Sequence, residues 1–250
     1  MDIDLTPYHI LLVNFSGGKD SSNILIETIK EAEKQNVRHR IVAILSNTGA
    51  EWDSTVAFST SFCRKLGIPL QVVYPRCTIP DYLEARGKYP SMKCRWCTAL
   101  KTSAIEKYIR HLYPAKQEAK VLSITGERRE ESTHRANLAD FEPHKLLTAG
   151  NRQVFCYRPI LDWKVGKVWQ NIHDNHLLIH PAYTEYGNDR LSCALCVFAC
   201  DKDLRNGAMN RPDLAERYMK VEEKSGFTFR YKRSLKEILR GENYYDDLII

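Results

Sequence analysis

Seven residues near the start, Ser16-Gly17-Gly18-Lys19-Asp20-Ser21-Ser22, combine backbone and side chains suited to holding a polyphosphate. The apolar run Ile10-Leu11-Leu12-Val13 precedes them, and Asn23-Ile24-Leu25-Ile26-Glu27 follows with the spacing of a helix. A glycine pair between strand and helix reaches backbone angles closed to other residues. Successive main-chain N–H groups then converge on one point, at the positive end of the helix dipole. Lys19 adds a full charge, and the hydroxyls of Ser16, Ser21 and Ser22 add donors. Asp20 does not favour a bare anion, but Mg2+ carried by the phosphates gives it a partner. The G-x-x-x-x-G-K-[ST] spacing of the P-loop is absent. The plainer alternative is a Gly-Gly turn opening a helix, with Lys19 and Asp20 solvated. The position directly after the first expected strand favours the phosphate site.

Cysteines form a second constellation. Cys94-Arg95-Trp96-Cys97 and Cys193-Ala194-Leu195-Cys196 are two C-x-x-C pairs, and Cys200 follows the second closely. Two such pairs supply four thiolates, the number taken by tetrahedral zinc or by a cubane iron–sulfur cluster. Thiolates suit both, so composition does not choose between them. The pairs lie too far apart for a compact zinc ribbon, and two separate thiol redox couples are the alternative. Cys63 and Cys156 read as small core residues. Cys77 falls in a loop over strand ends. Cys200 reads as a fifth thiol or an alternative fourth ligand.

These residues need a frame. The chain has 250 residues, 43% apolar and 27% charged, with net charge +6, enough for one large core or a core with an appendage. The modest basic excess suits a nucleotide or nucleic acid without proving either. No signal peptide is read in Met1-Asp2-Ile3-Asp4, and no apolar run approaches the ~20 residues of a membrane span. The expected compartment is the cytoplasm, where cysteines stay reduced. Strands are predicted at 10–15, 41–45, 70–74, 121–124 and 154–157. Helices are predicted at 21–35, 52–66 (ending at Gly67), 102–113, 165–178 and 212–224. This alternation predicts an α/β, doubly wound, mostly parallel sheet with helices on both faces. Ligands of such sheets bind beyond the carboxyl ends of the strands. Residues 1–180 are assigned to the nucleotide-binding domain. Residues 181–250 are assigned to a cysteine-rich and helical appendage. Within it Arg230-Tyr231-Lys232-Arg233, continuing to Lys236 and Arg240, reads as either a phosphate-tracking rail or a solvated amphipathic helix.

The loop SGGKDS resembles that of the PP-loop ATP pyrophosphatases, and the resemblance extends over residues 10–200. It implies the adenine nucleotide alpha hydrolase-like fold, with ATP and Mg2+ bound at Ser16, Gly17, Gly18, Lys19, Asp20, Ser21 and Ser22. Asn47-Thr48-Gly49-Ala50-Glu51, Cys97-Thr98-Ala99-Leu100-Lys101, Gly126-Glu127-Arg128-Arg129-Glu130-Glu131-Ser132, Arg158-Pro159-Ile160-Leu161-Asp162-Trp163 and His180-Pro181-Ala182-Tyr183 are similar to motifs of the PAPS reductase-like branch. That branch implies phosphate-facing arginines, here Arg128 and Arg135, with Arg129 as a weaker candidate. It also implies a nucleotide contact at Asn47 and catalytic roles for Lys19, Asp20 and Arg128.

Within the branch, sulfonucleotide reductases generally lack the loop lysine and carry a catalytic cysteine near the C-terminus. Here Lys19 is present, and Tyr244–Ile250 holds no cysteine. The chain therefore looks like the ATP pyrophosphatases of DNA phosphorothioation, the DndC and SspD type. That likeness implies a [4Fe-4S] cluster on Cys94, Cys97, Cys193 and Cys196. It further implies AMP and pyrophosphate as products, a cysteine desulfurase as sulfur donor, further phosphorothioation subunits as partners, and DNA as acceptor. PAPS or APS reduction and tRNA thiolation are the alternatives.

Overall fold

A computed structural model of the chain describes residues 3–241; the predicted acidic-apolar tail, Tyr244–Ile250, lies outside them. The chain runs β1 (Ile10–Asn14), α1 (Lys19–Lys34), β2 (Ile41–Ser46), α2 (Thr55–Lys65), β3 (Leu70–Val73), α3 (Ile79–Arg86), α4 (Trp96–Leu112) and β4 (Ala119–Ile124). It continues through α5 (Thr133–Ala136), β5 (Phe141–Pro143), β6 (Arg152–Tyr157), α6 (Val165–Asp174), α7 (Pro181–Thr184), α8 (Asp201–Asn210), α9 (Pro212–Ser225) and α10 (Leu235–Arg240).

The six strands form one sheet in the order β3-β2-β1-β4-β6-β5. All neighbours are parallel except β5, which runs antiparallel to β6 at the edge. The predicted parallel α/β sheet is present. The antiparallel edge is new, because a three-residue strand has too little periodicity to register in a sequence. In register, Leu12 faces Val42 on one side and Ser123 on the other. Nearly every residue of β1, β2 and β4 is buried, as expected of central strands covered on both faces. Two predicted helices change length. The one expected from residue 102 begins at Trp96, and the one expected to reach 178 ends at Asp174. Helix α3 was not predicted; Thr78 caps it through the Asp81 N–H, at 3.1 Å, and Gly87 closes it in the left-handed region.

The chain divides into two compact units. The first takes the residues up to Ser46, Val56–Val73 and Ile105–His180. The second takes Asn47–Thr55, Tyr74–Ala104 and the chain from Pro181 on. Segments 47–55 and 74–104, which the sequence assigns to the nucleotide domain, join the second unit together with the chain from Pro181 on. Each unit has its own core. Leu11, Val13, Phe15, Ile24, Leu25 and Leu122 are central to the first. Trp52, Leu83, Leu204, Leu214, Tyr218 and Phe229 are central to the second.

Within the first unit, the buried amide of Asn23 fastens α1 to α6. Its Nδ2 donates to the Val168 carbonyl at 3.1 Å, and its Oδ1 accepts from Asn171 at 2.7 Å. Asn14, at the end of β1, donates to the Ser123 hydroxyl and to the Ile124 carbonyl of β4. These bonds fix the carboxyl ends of β1 and β4 and the start of α1, where the glycine loop lies.

Candidate functional site

In the first unit, the loop between β1 and α1 turns at Gly17, with φ +79°. A Cβ there would meet Phe58 and Ser59 at 3.3 Å and His180 at 3.5 Å, so the positive φ favours glycine and the space beside it is tight. His180 is buried and meets Phe58 edge-on at a centroid distance of 4.9 Å. Burial depresses its pKa to about 4, so the loop rests on a neutral imidazole at pH 7. Gly18 is the N-cap of α1 and no side chain caps it, so the positive end of the helix dipole faces the loop. The Ser16 and Ser21 hydroxyls lie 3.2 Å apart, and Ser21 donates to the Gly18 carbonyl.

Lys19, Asp20 and Arg128 are brought together from β1–α1 and the segment after β4. Lys19 Nζ lies 3.4 Å from Asp20 Oδ2, and Arg128 Nε donates to Asp20 Oδ1 at 2.6 Å. Arg128 also pairs with Glu130, and its backbone N–H donates to Glu131 at 2.8 Å. Both cations are largely buried, at 8% and 4% exposure, so their charges are weakly screened. Burial works against the Arg128 charge; Asp20 and then Glu130 more than restore it, and its pKa is raised. The segment approaches closely because residue 126 is glycine; a Cβ there would stand 3.1 Å from the Asp20 backbone. Two carboxylates thus hold the guanidinium beside the loop. An anionic phosphate chain bringing a divalent cation could exchange partners with them, the cation taking Asp20 and the phosphates taking Lys19 and Arg128.

The other arginines differ from expectation. Arg135 pairs with Glu131 one turn back, not with the loop. Arg129 binds Asp162 and the carbonyls of Ala136 and Leu138, each at 2.7 Å, and so ties its own loop. Arg158, in the Arg158–Trp163 motif, is buried between Glu127 and Glu142.

Asn47 directly follows β2 and belongs to the second unit. There its Oδ1 accepts from the Gly49 N–H at 3.1 Å and shapes the turn. Glu51 closes the same turn by accepting from the backbone N–H and the hydroxyl of Thr48, each at 2.8 Å. Glu51 also pairs with Lys101 at 3.1 Å, and the Lys101 ammonium neighbours the Cys193 thiol. Glu51 and Lys101 both fall inside family-like motifs of the sequence, where neither residue by itself signals a role.

Cys97, Cys193 and Cys196 line one cavity with Ile79, Leu83, Trp96 and Tyr218. Burial pushes the Cys193 thiol up to about 12, the neighbouring Lys101 ammonium opposing the shift. Burial also raises Cys97, with Cys196 adding to the effect. Cys94 is exposed, and Arg86 donates to its sulfur at 3.8 Å; Arg190 does the same for Cys196, also at 3.8 Å. Three cations therefore stand against three of the four predicted ligands. Tetrahedral zinc at ~2.3 Å from each sulfur needs sulfurs about 3.8 Å apart. Among the described residues, no three of these cysteines have donor atoms within 4.8 Å of one another. Three of the four thiols, Cys97, Cys193 and Cys196, line this apolar cavity while Cys94 is not among its lining residues, and the donor set is chemically that of a thiolate-held metal centre. Gly207 of α8, which no sequence signal marked, lets that helix lie against the Ala194 carbonyl between the paired cysteines; a Cβ there would overlap it.

Cys63 is buried, as predicted, with its thiol pushed up to about 12 by burial. Cys156 is only half-buried, since β6 has β4 on one side but only the short β5 on the other, and burial still pushes it up to about 11. Cys77 is half-buried against the second core. The basic stretch is not one helix. Arg230 and Arg233 both pair with Asp201, and α10 begins only at Leu235. Lys232, with φ +56°, sits in the turn beside an 89% exposed Tyr231. Two of the four residues of the Arg230–Arg233 stretch are thus committed to a carboxylate rather than free for phosphates.

The mostly parallel sheet, with its glycine-rich loop running from a central strand into a helix, has the adenine nucleotide alpha hydrolase-like fold. The model of the phosphoadenosine phosphosulfate reductase domain matches residues 10–199, and the chain belongs to that PP-loop, PAPS reductase-like family of nucleotide-utilising enzymes. It is 29% identical over 189 residues to an uncharacterized protein of Methanocaldococcus jannaschii, covering 74% of this chain and 36% of that one. It is 32% identical over 156 residues to the phosphoadenosine 5'-phosphosulfate reductase of Escherichia coli O157:H7, covering 60% of this chain and 57% of that one. The chain thus spans between 36% and 57% of the length of these relatives. The phosphoadenylyl-sulfate reductase of Candida auris, solved as a phosphate complex, superposes with a TM-score of 0.53 at 13% identity, over 76% of this chain and 83% of that one. At that identity the likeness concerns the fold. Among the described residues, no helix is long and apolar enough to cross a membrane.

Proposed function

We propose that this chain is an ATP pyrophosphatase that adenylates a phosphate oxygen for sulfur incorporation, with DNA as the acceptor. The observation that carries the reading is the complete glycine loop with Lys19 buried at the head of α1, paired to Asp20 beside Arg128. A sulfonucleotide has no β–γ pyrophosphate for such a lysine to hold; ATP does. An acceptor phosphate oxygen attacks the α-phosphorus, the α–β bridging bond breaks, and pyrophosphate leaves. Lys19 and the α1 amides neutralise the departing charge, and Arg128 takes the α-phosphate side. Asp20 would hold Mg2+ with the phosphates, a single carboxylate being enough when phosphates supply other ligands. Sulfide-level sulfur then displaces AMP at the activated phosphorus.

Cys94, Cys97, Cys193 and Cys196 would hold a [4Fe-4S] cluster, which supplies thiophilic iron where sulfur can be retained before transfer. Around it this chain's own residues exclude water, through Trp96, Leu83 and Tyr218, and balance thiolate charge, through Lys101, Arg86 and Arg190. A cysteine desulfurase and companion phosphorothioation subunits are the partners this chemistry requires.

The test combines the anaerobically purified chain with ATP, DNA, cysteine, a cysteine desulfurase, the companion phosphorothioation subunits and a reductant. Expected products are AMP, pyrophosphate and phosphorothioate dinucleotides after nuclease digestion. Sulfite release from PAPS without ATP cleavage would replace this reading by sulfonucleotide reduction, the second reading, which the 32% identity to the Escherichia coli reductase favours. Thiolated nucleosides in tRNA but not DNA would move the acceptor.

A further inference from the structure

Cys200 is the N-cap residue of α8, and Asp203 lies in the first turn of that helix. Asp189 comes from the loop before it. One donor atom from each of the three lies within 4.8 Å of the other two. Asp203 is 2% exposed. Its Oδ1 accepts from the Asp189 N–H at 3.1 Å, while its Oδ2 is buried with no hydrogen-bond partner among the described residues. A buried carboxylate oxygen left without a donor is costly, and a bound cation would remove that cost. Asp189 shows the same attraction: Lys202 Nζ sits 2.6 Å from its Oδ1, and the Cys200 thiol donates to its Oδ2 at 3.7 Å.

We propose that Asp189, Cys200 and Asp203 form a binding site for a thiophilic divalent cation of the zinc class, separate from the four cysteines assigned to the cluster. Three protein ligands match the open type of zinc site, with water in the fourth position. The sulfur ligand selects against Mg2+ and Ca2+, which prefer oxygen alone. On binding, the metal–sulfur bond forms, the Cys200 S–H bond breaks and its proton goes to solvent. Asp189 Oδ1 stays with Lys202 while Oδ2 passes from the thiol to the metal. The ion would clamp the loop carrying Asp189 to the start of α8.

The experiment titrates the metal-free, full-length chain with Zn2+, and in parallel with Co2+, against Asp203→Asn, Cys200→Ser and Asp189→Asn. All three variants keep Cys94, Cys97, Cys193 and Cys196, so a loss cannot be charged to those thiols. Asp189 has a 69% exposed side chain, so its variant tests the site without disturbing a core. Each variant should lose one equivalent of bound Zn2+, or bind it at least about tenfold more weakly. Cys200→Ser should also lose one step of thiolate-to-cobalt absorption, and Mg2+ should not compete. Unchanged stoichiometry and affinity in all three variants would overturn the site. So would loss of iron from the anaerobically reconstituted protein in Cys200→Ser but not in Asp203→Asn, which would assign this thiol to the cluster.

Discussion

Lys19→Ala is the perturbation that most directly tests the nucleotide reading. The Lys19 side chain is 8% exposed and its ammonium sits 3.4 Å from Asp20 Oδ2. Asp20 keeps the shorter contact to Arg128, at 2.6 Å, when Lys19 is truncated. No carboxylate is therefore left unpaired, and the folding cost should be about 1 kcal/mol. Catalysis should suffer far more. A unit charge ~4 Å from a phosphate oxygen is worth about 4 kcal/mol at an effective dielectric of ~20. Loss of a preorganised donor typically costs about 10²–10³ in kcat, the same range. We expect pyrophosphate release under saturating ATP to fall by roughly two to three orders of magnitude, with the thermal midpoint nearly unchanged. The assay is coupled pyrophosphate detection, with AMP measured by chromatography. Lys30→Ala, which removes only a half-exposed pair with Glu27 on the same helix, is the control and should leave the rate unchanged. A folded Lys19→Ala protein within threefold of the parent rate would refute the assignment of the loop to the leaving pyrophosphate.

Three further outcomes follow from the packing. Gly207→Ala should destabilise by about 3 kcal/mol or more, because the new Cβ meets the Ala194 backbone rather than a movable side chain; a midpoint within a degree or two of the parent would contradict that close approach. His180, depressed from 6.5 to about 4, binds its proton more readily when unfolded, so stability should drop as pH falls from about 6.5 toward 4, by about 3 kcal/mol in total. Denaturant titrations at several pH values should show a flatter profile for His180→Gln, and identical profiles would remove the buried neutral imidazole as the cause. In the reduced, metal-free protein, alkylation followed by mass spectrometry should label exposed Cys94 and Cys200 first and buried Cys63 last; early labelling of Cys63 would argue against its core position.

Local pattern and spacing determined a large part of this protein. The apolar run before Ser16-Gly17-Gly18-Lys19 and the alternation of strand and helix were enough for a parallel α/β sheet with a glycine loop at its centre, because both signals lie within a few residues of one another. The paired cysteines were legible for the same reason. What the sequence left open depends on partners far away in the chain. Arg128, Arg129 and Arg135 look alike as letters, yet only Arg128 meets Asp20, across 108 residues, because Asn14 and Gly126 bring the ends of β1 and β4 together. Segments 47–55 and 74–104 join the C-terminal part through a core built on Trp52, Leu83 and Leu204, a grouping no local pattern carries. Lys101 against Cys193 and Asp189 beside Cys200 arise the same way. Composition and periodicity specify which elements form. Which charges end up buried against each other is decided only when distant segments close over them and remove the water that would otherwise screen them.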